Sequence, residues 1–344
     1  MSLEGWQSAG ILERELALYR ALLPRLEHLS FVTYGDSKDV ELGREVIPQA
    51  EILTNRRHWS PNLYSLLAPW THRRTLRQAT VFKTNQLNGG WSAVLANHLF
   101  RKRLVVRCGF LWSQSALDST TSWLRRAVVT GLERWVLRSA DRIILAAAAH
   151  RRVVESDYGV SSARVSVIPN YVDTGRFRRL ADVPVEPGRV TYVGRLSVEK
   201  NPMSLLEAVV GLDDVTVVFA GDGPLRPSLE AFARERQLRV EFLGTVPHGQ
   251  LPKELNRSAA FVMPSHYEGN PKALLEAMAC GVPVIGTRVR GIEDVIVDVL
   301  GDAELRAGVS ARAQAYVRTS CSLEHVVAAE WAVLAAASEE RTHV

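Results

Sequence analysis

The sequence predicts an α/β protein with two doubly wound domains, each a parallel sheet covered by helices on both faces. Three observations support this prediction. Short, wholly apolar runs alternate with helical segments, and such runs are typical of strands buried in a parallel sheet. The alternation occurs twice, on either side of a proline-containing stretch without periodicity at 171–188. The length of 344 residues is also sufficient for two hydrophobic cores.

The first half of the chain contains five runs that predict strands. An amphipathic helix is expected over 11–23, and the first strand, SFVTYG at 30–35, ends at a glycine. The other predicted strands are 80–83, 104–107, 142–145 and 164–168, and the helices between them are 90–101, 121–138 and 147–157.

The second half repeats the alternation with five further strands. Each of the first four is followed by a helix, as in the Rossmann fold. A last helix is expected over about 323–337. The predicted strands are 190–194, 215–221, 240–244, 259–264 and 282–287, and the helices are 202–211, 225–236, 249–257 and 271–279.

Composition excludes several classes of protein. Apolar residues make up 47% of the chain and charged residues 23%, which is ordinary for a globular protein and excludes disorder as the main state. Three separated cysteines with no C-x-x-C pair exclude a disulfide framework and a cysteine-rich zinc module, so a reducing cytoplasm is expected. No apolar run reaches the length of a membrane-spanning helix, and the first residues lack the features of a signal peptide.

The charge is distributed unevenly between the two halves. Residues 1–170 hold 23 Lys+Arg and 14 Asp+Glu, a net of +9, whereas residues 171–344 hold 19 and 23, a net of −4. A basic first half indicates an anionic partner, for which nucleic acid, an anionic membrane surface and a phosphorylated substrate are candidates. A solvated, arginine-rich surface is the alternative. The basic segment 70–78 is a candidate for peripheral contact with anionic lipid, and the alternative is an ordinary basic helix face.

The densest group of candidate binding residues lies at 261–291. A predicted buried strand leads through a short loop to a helix with Pro271 in its first turn and Asn270 as the expected N-cap. The helix start faces the carboxyl edge of the sheet, where it favours a phosphate. Two carboxylates, Glu268 and Glu276, lie eight residues apart around it. Glu276 is predicted to accept hydrogen bonds from ribose hydroxyls, and Glu268 to lie near the group beyond the phosphates. The alternatives are that Glu268 caps a helix and that Glu276 is an ordinary solvated helix residue.

Two cations follow the first strand of the second half. Arg195 comes directly after Gly194, and Lys200 lies five residues later at the next helix start. They are placed to clamp a diphosphate, Arg through a forked contact and Lys as a point charge, although two unrelated surface charges are the alternative. After the next strand, Gly221 and Gly223 of GDGP fit either a close approach of a ligand or a tight turn.

Together these motifs resemble the nucleotide-sugar domain of a family 4 retaining glycosyltransferase, whose GT-B fold has two Rossmann-like domains facing a cleft. The matching elements are GR-x4-K, GDGP, EGNPKALLEAMACGVPVIGT and the trailing RG, within about 165–295. PNYVD at 169–173 is similar to the family's inter-domain signature. A weaker resemblance to one bacterial branch covers 2–165, through SL-x-x-W, RE-x3-Y, VTYG, KTNQ and VRCG-x-x-WS.

The resemblance implies a role for each matching residue. Arg195 and Lys200 would bind the donor diphosphate and stabilise the charge on the leaving nucleoside diphosphate. Glu276 would bind the ribose, and Glu268 would hold the donor sugar as the third catalytic residue. The further donor-site residues are Gly221, Gly223, Gly269, Asn270, Lys272 and Ala273, with Thr245 and Val246 facing the base.

The resemblance also implies the partners. The donor would be a nucleoside-diphosphate sugar, and the acceptor a glycan, a glycolipid or a small molecule bound by the first domain. No D-x-D motif occurs in the chain, so no metal cofactor is expected and Arg195 and Lys200 would take its place. Nucleic acid is not expected as a partner, because no recognisable binding motif is present. The predicted acceptor-side residues are Lys83, Asn85, Gln86 and Arg107.

The chain departs from the family's pattern at two places. It opens at residues similar to those that follow the family's first strand, so that strand is expected to be missing, as is a segment near 296. These departures leave an alternative function, a degenerate GT-B protein that binds a nucleotide sugar or a partner without turnover. The expected organisation is an acceptor domain at 1–170, a linker at 171–188, a nucleotide-sugar domain at 189–321, and a helix at 322–344 that crosses back to the first domain.

Overall fold

The computed structural model describes residues 2–113, 122–287, 289 and 303–339. It divides into two compact units. Unit 1 comprises Met1–Pro169 together with Val326–Val344, and unit 2 comprises Asn170–His325. The segment near 296, where a deletion is predicted, lies outside the described residues.

Unit 1 contains two parallel sheets instead of the single sheet predicted. The first pairs β1 (Leu29–Val32) with β2 (Ala50–Leu53). Strand β2 is not predicted by the sequence pattern, because its four residues include the exposed Glu51 and are too few to show a period. The second sheet contains, in spatial order, β3 (Val81–Lys83), β4 (Arg103–Cys108), β5 (Arg142–Leu145) and β6 (Val165–Val167).

The two sheets of unit 1 have separate hydrophobic cores. The small sheet is covered by a cluster that includes Leu16, Tyr19 and Ile47. The large sheet has a core of its own, to which buried residues of β4 and β5 contribute. The last helix of the chain, Leu323–Glu339, also lies mostly in unit 1. The described helices of this unit that precede Asn170 are α1 (Leu3–Ser8), α2 (Leu12–Leu22), α3 (Ser37–Val46), α4 (Pro61–Thr71), α5 (Arg73–Gln78), α6 (Gly90–Phe100) and α7 (Trp123–Ser139).

The segment predicted as helical at 147–157 is helical over 148–157, but it is not one regular α-helix. A 3-10 turn covers Ala148–His150, and a π turn covers Val153–Asp157. Val153 and Val154 are consecutive β-branched residues, which lower the stability of a regular α-helix.

Unit 2 contains all five strands predicted for the second half. They form one parallel sheet with the spatial order β11, β10, β7, β8, β9. These strands are β7 (Arg189–Val193), β8 (Thr216–Ala220), β9 (Arg239–Gly244), β10 (Ala260–Met263) and β11 (Val284–Gly286). The helices after them are α8 (Pro202–Ala208), α9 (Arg226–Glu235), α10 (Leu251–Arg257), α11 (Lys272–Ala279), α12 (Ala303–Tyr316) and α13 (Leu323–Glu339).

The strand order defines a topological switch point between β7 and β10. β7 comes first in this unit, β8 and β9 extend the sheet to one side, and β10 and β11 extend it to the other. In an open α/β sheet, crossovers in opposite directions leave a crevice outside the carboxyl ends of the two central strands, and ligands bind there. The loops after Val193 and Met263 therefore define the edge at which a site is expected.

The stretch predicted as a linker, 171–188, belongs to unit 2. It has no helix and is held by side-chain contacts with the unit. The buried Asn256 accepts a hydrogen bond from Leu180 N at 2.9 Å and donates one to Arg178 O at 2.9 Å.

Among the described residues, no helix has the length and apolar character needed to cross a bilayer.

Candidate functional site

Lys200 and Glu268 meet at the switch point of unit 2. Lys200 lies in a short 3-10 turn after β7, and Glu268 lies in the loop after β10. Lys200 Nζ donates to Glu268 Oε1 at 2.6 Å, and Ser265 Oγ donates to the same oxygen at 2.8 Å. A hydrogen bond of 3.0 Å from His266 N to Glu199 O also joins the two loops. The tertiary structure thus brings together two of the three residues predicted as catalytic.

This ion pair is only partly shielded from water. The Lys200 side chain is 30% exposed, whereas that of Glu268 is 8% exposed. Arg195, on the loop that directly follows β7, is exposed. Its carbonyl accepts a hydrogen bond of 2.8 Å from the Tyr192 hydroxyl, whose pKa is raised by burial and by the charge of Glu268. Two cations therefore have surface available to an anion at the carboxyl edge of the sheet.

The glycines of the GDGP motif lie where two loops touch. A Cβ atom on Gly221 would be 1.9 Å from Gly194 O, and one on Gly223 would be 2.4 Å from Leu196 O. Leu196 N donates to Asp222 O at 3.0 Å, which holds the loops at this spacing. The structure gives these glycines a third explanation, a close contact between the backbones of two loops, and their predicted role toward a ligand stays a prediction. That contact also holds the loop carrying Arg195.

Helix α11 begins one residue later than predicted, and Asn270 is not its N-cap. Its first residue is Lys272, and Pro271 occupies the N-cap position without a side-chain hydrogen bond. Asn270 instead accepts a hydrogen bond of 2.8 Å from Asn170 N through Oδ1, and its carbonyl accepts one of 2.6 Å from Asn170 Nδ2. Since Pro271 has no side-chain acceptor, the first amides of α11, including that of Ala273, are not capped by it. This leaves a helix start of the kind that binds anions.

Glu276 lies on α11 with its side chain 3% exposed. Its Oε1 is 2.8 Å from Nε2 of the buried His248, and the His248 ring contacts that of Phe177 at 4.9 Å between centroids. His248 is not predicted from the sequence, because it lies in the loop before α10 and belongs to none of the recognised motifs. The ribose-binding role of Glu276 stays a prediction.

The remaining donor-site residues lie at neighbouring strand ends. Thr245 and Val246 follow β9, with Thr245 exposed and Val246 partly buried against the core around α11. Gly269 is buried in the loop after β10. The Lys272 ammonium lies 5.4 Å from the centroid of the Tyr171 ring. All of these positions belong to unit 2, and their roles toward a nucleotide stay predictions.

Lys83 and Arg107, two of the predicted acceptor-side residues, converge on Glu330 of α13. Lys83 Nζ lies 3.1 Å from Glu330 Oε2, and Arg107 Nη1 donates to Oε1. The Glu330 side chain is fully buried, and the two cations are no more than 10% exposed. Burial lowers the pKa of Lys83, but the charges of Glu330 and Tyr19 outweigh it and hold this pKa above the ordinary 10.5. The three charges form a buried ion cluster inside unit 1.

Of the other two acceptor-side residues, Asn85 adjoins this cluster through Tyr19, whereas Gln86 lies against Gly109. The Tyr19 hydroxyl donates to Asn85 Oδ1 at 2.8 Å, and Lys83 Nζ donates to the Tyr19 oxygen at 3.4 Å. The Gln86 side chain lies against Gly109, where a Cβ atom would be 2.5 Å from Oε1. Glu330 is not predicted from the sequence, because it is 223 residues from Arg107 and belongs to no motif. Acceptor binding by these residues stays a prediction.

Solved structures with the same fold identify the architecture. The chain is similar to Anabaena HepE, solved in complex with UDP and glucose, with a TM-score of 0.78, 18% identity, and coverage of 94% of this chain and 95% of that one. Sucrose-phosphate synthase from Thermosynechococcus elongatus has a TM-score of 0.78, 19% identity, and coverage of 92% and 90%. The two Rossmann-like units therefore define a protein of the GT-B fold class.

Sequence comparisons identify the family. "Glycosyltransferase Family 4" matches residues 16–176, and "Glycosyl transferases group 1" matches residues 175–302. The chain belongs to family 4 of the GT-B glycosyltransferases.

Curated relatives carry the names of sugar transferases. Glycogen synthase from Mycobacterium tuberculosis is 31% identical over 188 residues, which are 52% of this chain and 45% of that protein. The 2-deoxystreptamine glucosyltransferase of Streptomyces kanamyceticus is 30% identical over 195 residues, which are 52% and 50%. The matches thus span about half the length of these relatives.

Proposed function

We propose that this protein is a retaining, metal-independent glycosyltransferase. It moves a hexose-type sugar from a nucleoside diphosphate to a glycan, a glycolipid or a small molecule. The Lys200–Glu268 pair at the switch point of unit 2 carries the proposal, since it lies at the sheet edge where Arg195 is exposed. Family membership and the names of the relatives support sugar transfer, and HepE, a neighbour in fold, binds UDP and glucose.

The transfer reaction explains why cations are needed at this edge. The bond between the anomeric carbon and the phosphate oxygen breaks, the same carbon bonds to the acceptor oxygen, and the acceptor proton passes to the departing diphosphate. Negative charge increases on the diphosphate as the bond breaks, and preorganised charges stabilise it. Arg195 and Lys200 supply positive charge, and the start of α11 supplies amide donors. Glu268 orients Lys200 and faces the donor sugar.

Nucleotide binding is the first test of this assignment. The melting of the full chain is followed with UDP, GDP and ADP, and one base is expected to raise the melting temperature. A ligand at about 100 times its dissociation constant stabilises the native state by about 2.7 kcal/mol. Arg195→Ala and Lys200→Ala each remove a charge-assisted contact worth roughly 1.5–3 kcal/mol, so affinity is expected to fall about 10- to 150-fold.

Lys253→Ala is the matched control for nucleotide binding. Lys253 is an exposed lysine on α10 of the same unit, and its removal is expected to leave the affinity unchanged. An equal loss in Lys253→Ala would indicate unspecific attraction by charge. Unchanged binding in both Arg195→Ala and Lys200→Ala would rule out the proposed diphosphate site.

Activity measurements test the reaction itself. The anomeric configuration of the product, read by NMR from the coupling of the anomeric proton, is expected to match that of the donor, and EDTA is expected to leave the rate unchanged. An inverted product contradicts retention, and a rate lost in EDTA and restored by a divalent cation contradicts metal independence. Nucleotide binding without transfer to any acceptor supports the degenerate alternative.

A further inference from the structure

Helix α7 of unit 1 exposes a continuous apolar stripe. Leu124, Val128, Leu132 and Trp135 recur at helical spacing, and Trp123 precedes them at the helix start. Trp123 is 77% exposed, Val128 63% and Leu124 58%, although side chains of these types are usually buried. The opposite side of the helix buries Val136 and Leu137 in the core of the large sheet. The helix therefore has two apolar sides, and in the part of the chain that the structure describes only one of them is covered.

Neighbouring helices extend this exposed apolar surface. Helix α6 contacts both α4 and α7, so the three form one layer. On α4, Leu63, Leu66 and Trp70 are exposed at helical spacing, and Leu99 is exposed on α6. We call the exposed surface of α4, α5, α6 and α7 the basic aromatic face.

The exposed charged side chains on the four helices of the basic aromatic face are all basic, and the exposed Glu51 of β2 lies beside α5, where Thr75 Oγ1 donates to it at 3.4 Å. Across 61–71, 73–78, 90–100 and 123–139, the only acidic residue is Glu133. That carboxylate is fully buried and accepts a hydrogen bond from Ser113 Oγ at 2.6 Å, so it does not offset charge on the surface. The exposed arginines of this face are Arg73, Arg74, Arg77, Arg125, Arg134 and Arg138.

We propose that the basic aromatic face docks on the surface of an anionic lipid bilayer. Exposed tryptophans and leucines next to arginines match the boundary between acyl chains and headgroups, where aromatic rings and basic side chains are favoured. Anionic headgroups attract each arginine near the surface. A second copy of the chain fits less well, because a two-fold contact would bring the same arginines together. The inference does not depend on the proposed sugar transfer.

Vesicle flotation tests the proposal with the full chain. Binding is expected to vesicles of phosphatidylcholine with phosphatidylglycerol, and to be much weaker with phosphatidylcholine alone. Arg134→Gln with Arg138→Gln is expected to weaken binding about 25-fold, since each arginine near an anionic surface contributes about fivefold. The double variant Trp123→Ser, Trp135→Ser keeps every arginine and is still expected to bind less, even at low salt. A purely electrostatic contact would predict no loss in this variant.

Matched substitutions in unit 2 serve as controls. Leu212→Ser and Arg239→Gln change an exposed leucine and an exposed arginine outside the face, and both are expected to bind vesicles as the unchanged chain does. Unchanged circular dichroism and melting show that every variant is folded. The proposal is overturned if the chain does not float with anionic vesicles, or if the α7 variants float as well as the controls. It is also overturned if the unchanged chain is dimeric and the Trp123→Ser, Trp135→Ser variant is monomeric.

Discussion

Two lysine–glutamate pairs in this protein differ in the solvent exposure of their side chains. Lys83 and Lys200 both lie at or just after the carboxyl end of a parallel strand, and both are predicted from the sequence to contact ligands. Lys83 is 10% exposed and pairs with the fully buried Glu330, together with Arg107. Lys200 is 30% exposed and pairs with Glu268 alone among the acidic side chains of the described residues. Both lysines lie on the carboxyl side of a parallel strand, but their surroundings differ.

The difference in solvent exposure predicts different roles for the two pairs. In unit 1, two buried cations depend on one carboxylate, and removal of such a carboxylate leaves charge without compensation in a medium of low polarity. In unit 2, water is able to hydrate the Lys200 ammonium if its partner is lost, and an entering anion is able to contact it. We therefore expect the first pair to affect mainly stability, whereas the second is accessible to a ligand.

The largest expected effect comes from removing the carboxylate of each pair. Glu330→Gln is expected to lower the free energy of unfolding by about 3–5 kcal/mol, because Lys83 and Arg107 stay buried without their counter-charge. Glu268→Gln is expected to lower it by less than about 1 kcal/mol, because Lys200 is partly exposed. Urea denaturation followed by circular dichroism measures both values.

Glu324→Gln is the control for that comparison. Glu324 is an exposed glutamate in the first turn of α13, the helix that carries Glu330. Its substitution is expected to change stability by less than about 0.5 kcal/mol. Similar losses for Glu330→Gln and Glu268→Gln would show that burial does not separate the two pairs.

A smaller effect is expected from the glycine that supports the loops at the switch point. Gly221→Ala would place a Cβ atom 1.9 Å from Gly194 O, and the strain is expected to cost about 1–3 kcal/mol of stability. Because Arg195 follows Gly194, the melting shift produced by nucleotide is expected to fall as well. Gly249→Ala, where a Cβ atom meets nothing within 4 Å, is expected to change neither quantity. A stable Gly221→Ala variant with full nucleotide binding would contradict the claim that this contact holds the loop that carries Arg195.

The smallest expected effect is a dependence of stability on alkaline pH. The pKa of Lys83 in the folded chain lies above the ordinary 10.5, so the native state favours its protonated form. Its contribution to stability is complete below pH 10.5 and decreases as the pH rises through the folded value. The loss of stability in Lys83→Met, measured by urea denaturation, should therefore shrink above pH 10.5. A loss that stays constant over this range would show that the charge of Lys83 is not what Glu330 stabilises.

Local pattern was sufficient to predict the five strands of unit 2 and most elements of unit 1. Apolar runs of strand length bounded by glycine specify buried parallel strands, since such side chains have to be covered on both faces. The same pattern placed Arg195, Lys200 and Glu268 at strand ends. These conclusions need only a few consecutive residues each, so the sequence contains enough information for them.

Contacts between distant parts of the chain were decided by the tertiary structure alone. Glu330 reaches Arg107 across 223 residues, and Asn170, 100 residues away, bonds to the Asn270 side chain that was expected to cap α11. His248 reaches Glu276 in the same way. Burial of a charge depends on what the whole fold places around it, and no local pattern encodes those neighbours. The sequence by itself thus determined which edge of each sheet carries the polar residues, and only the fold determined which of them are buried among partners and which face water.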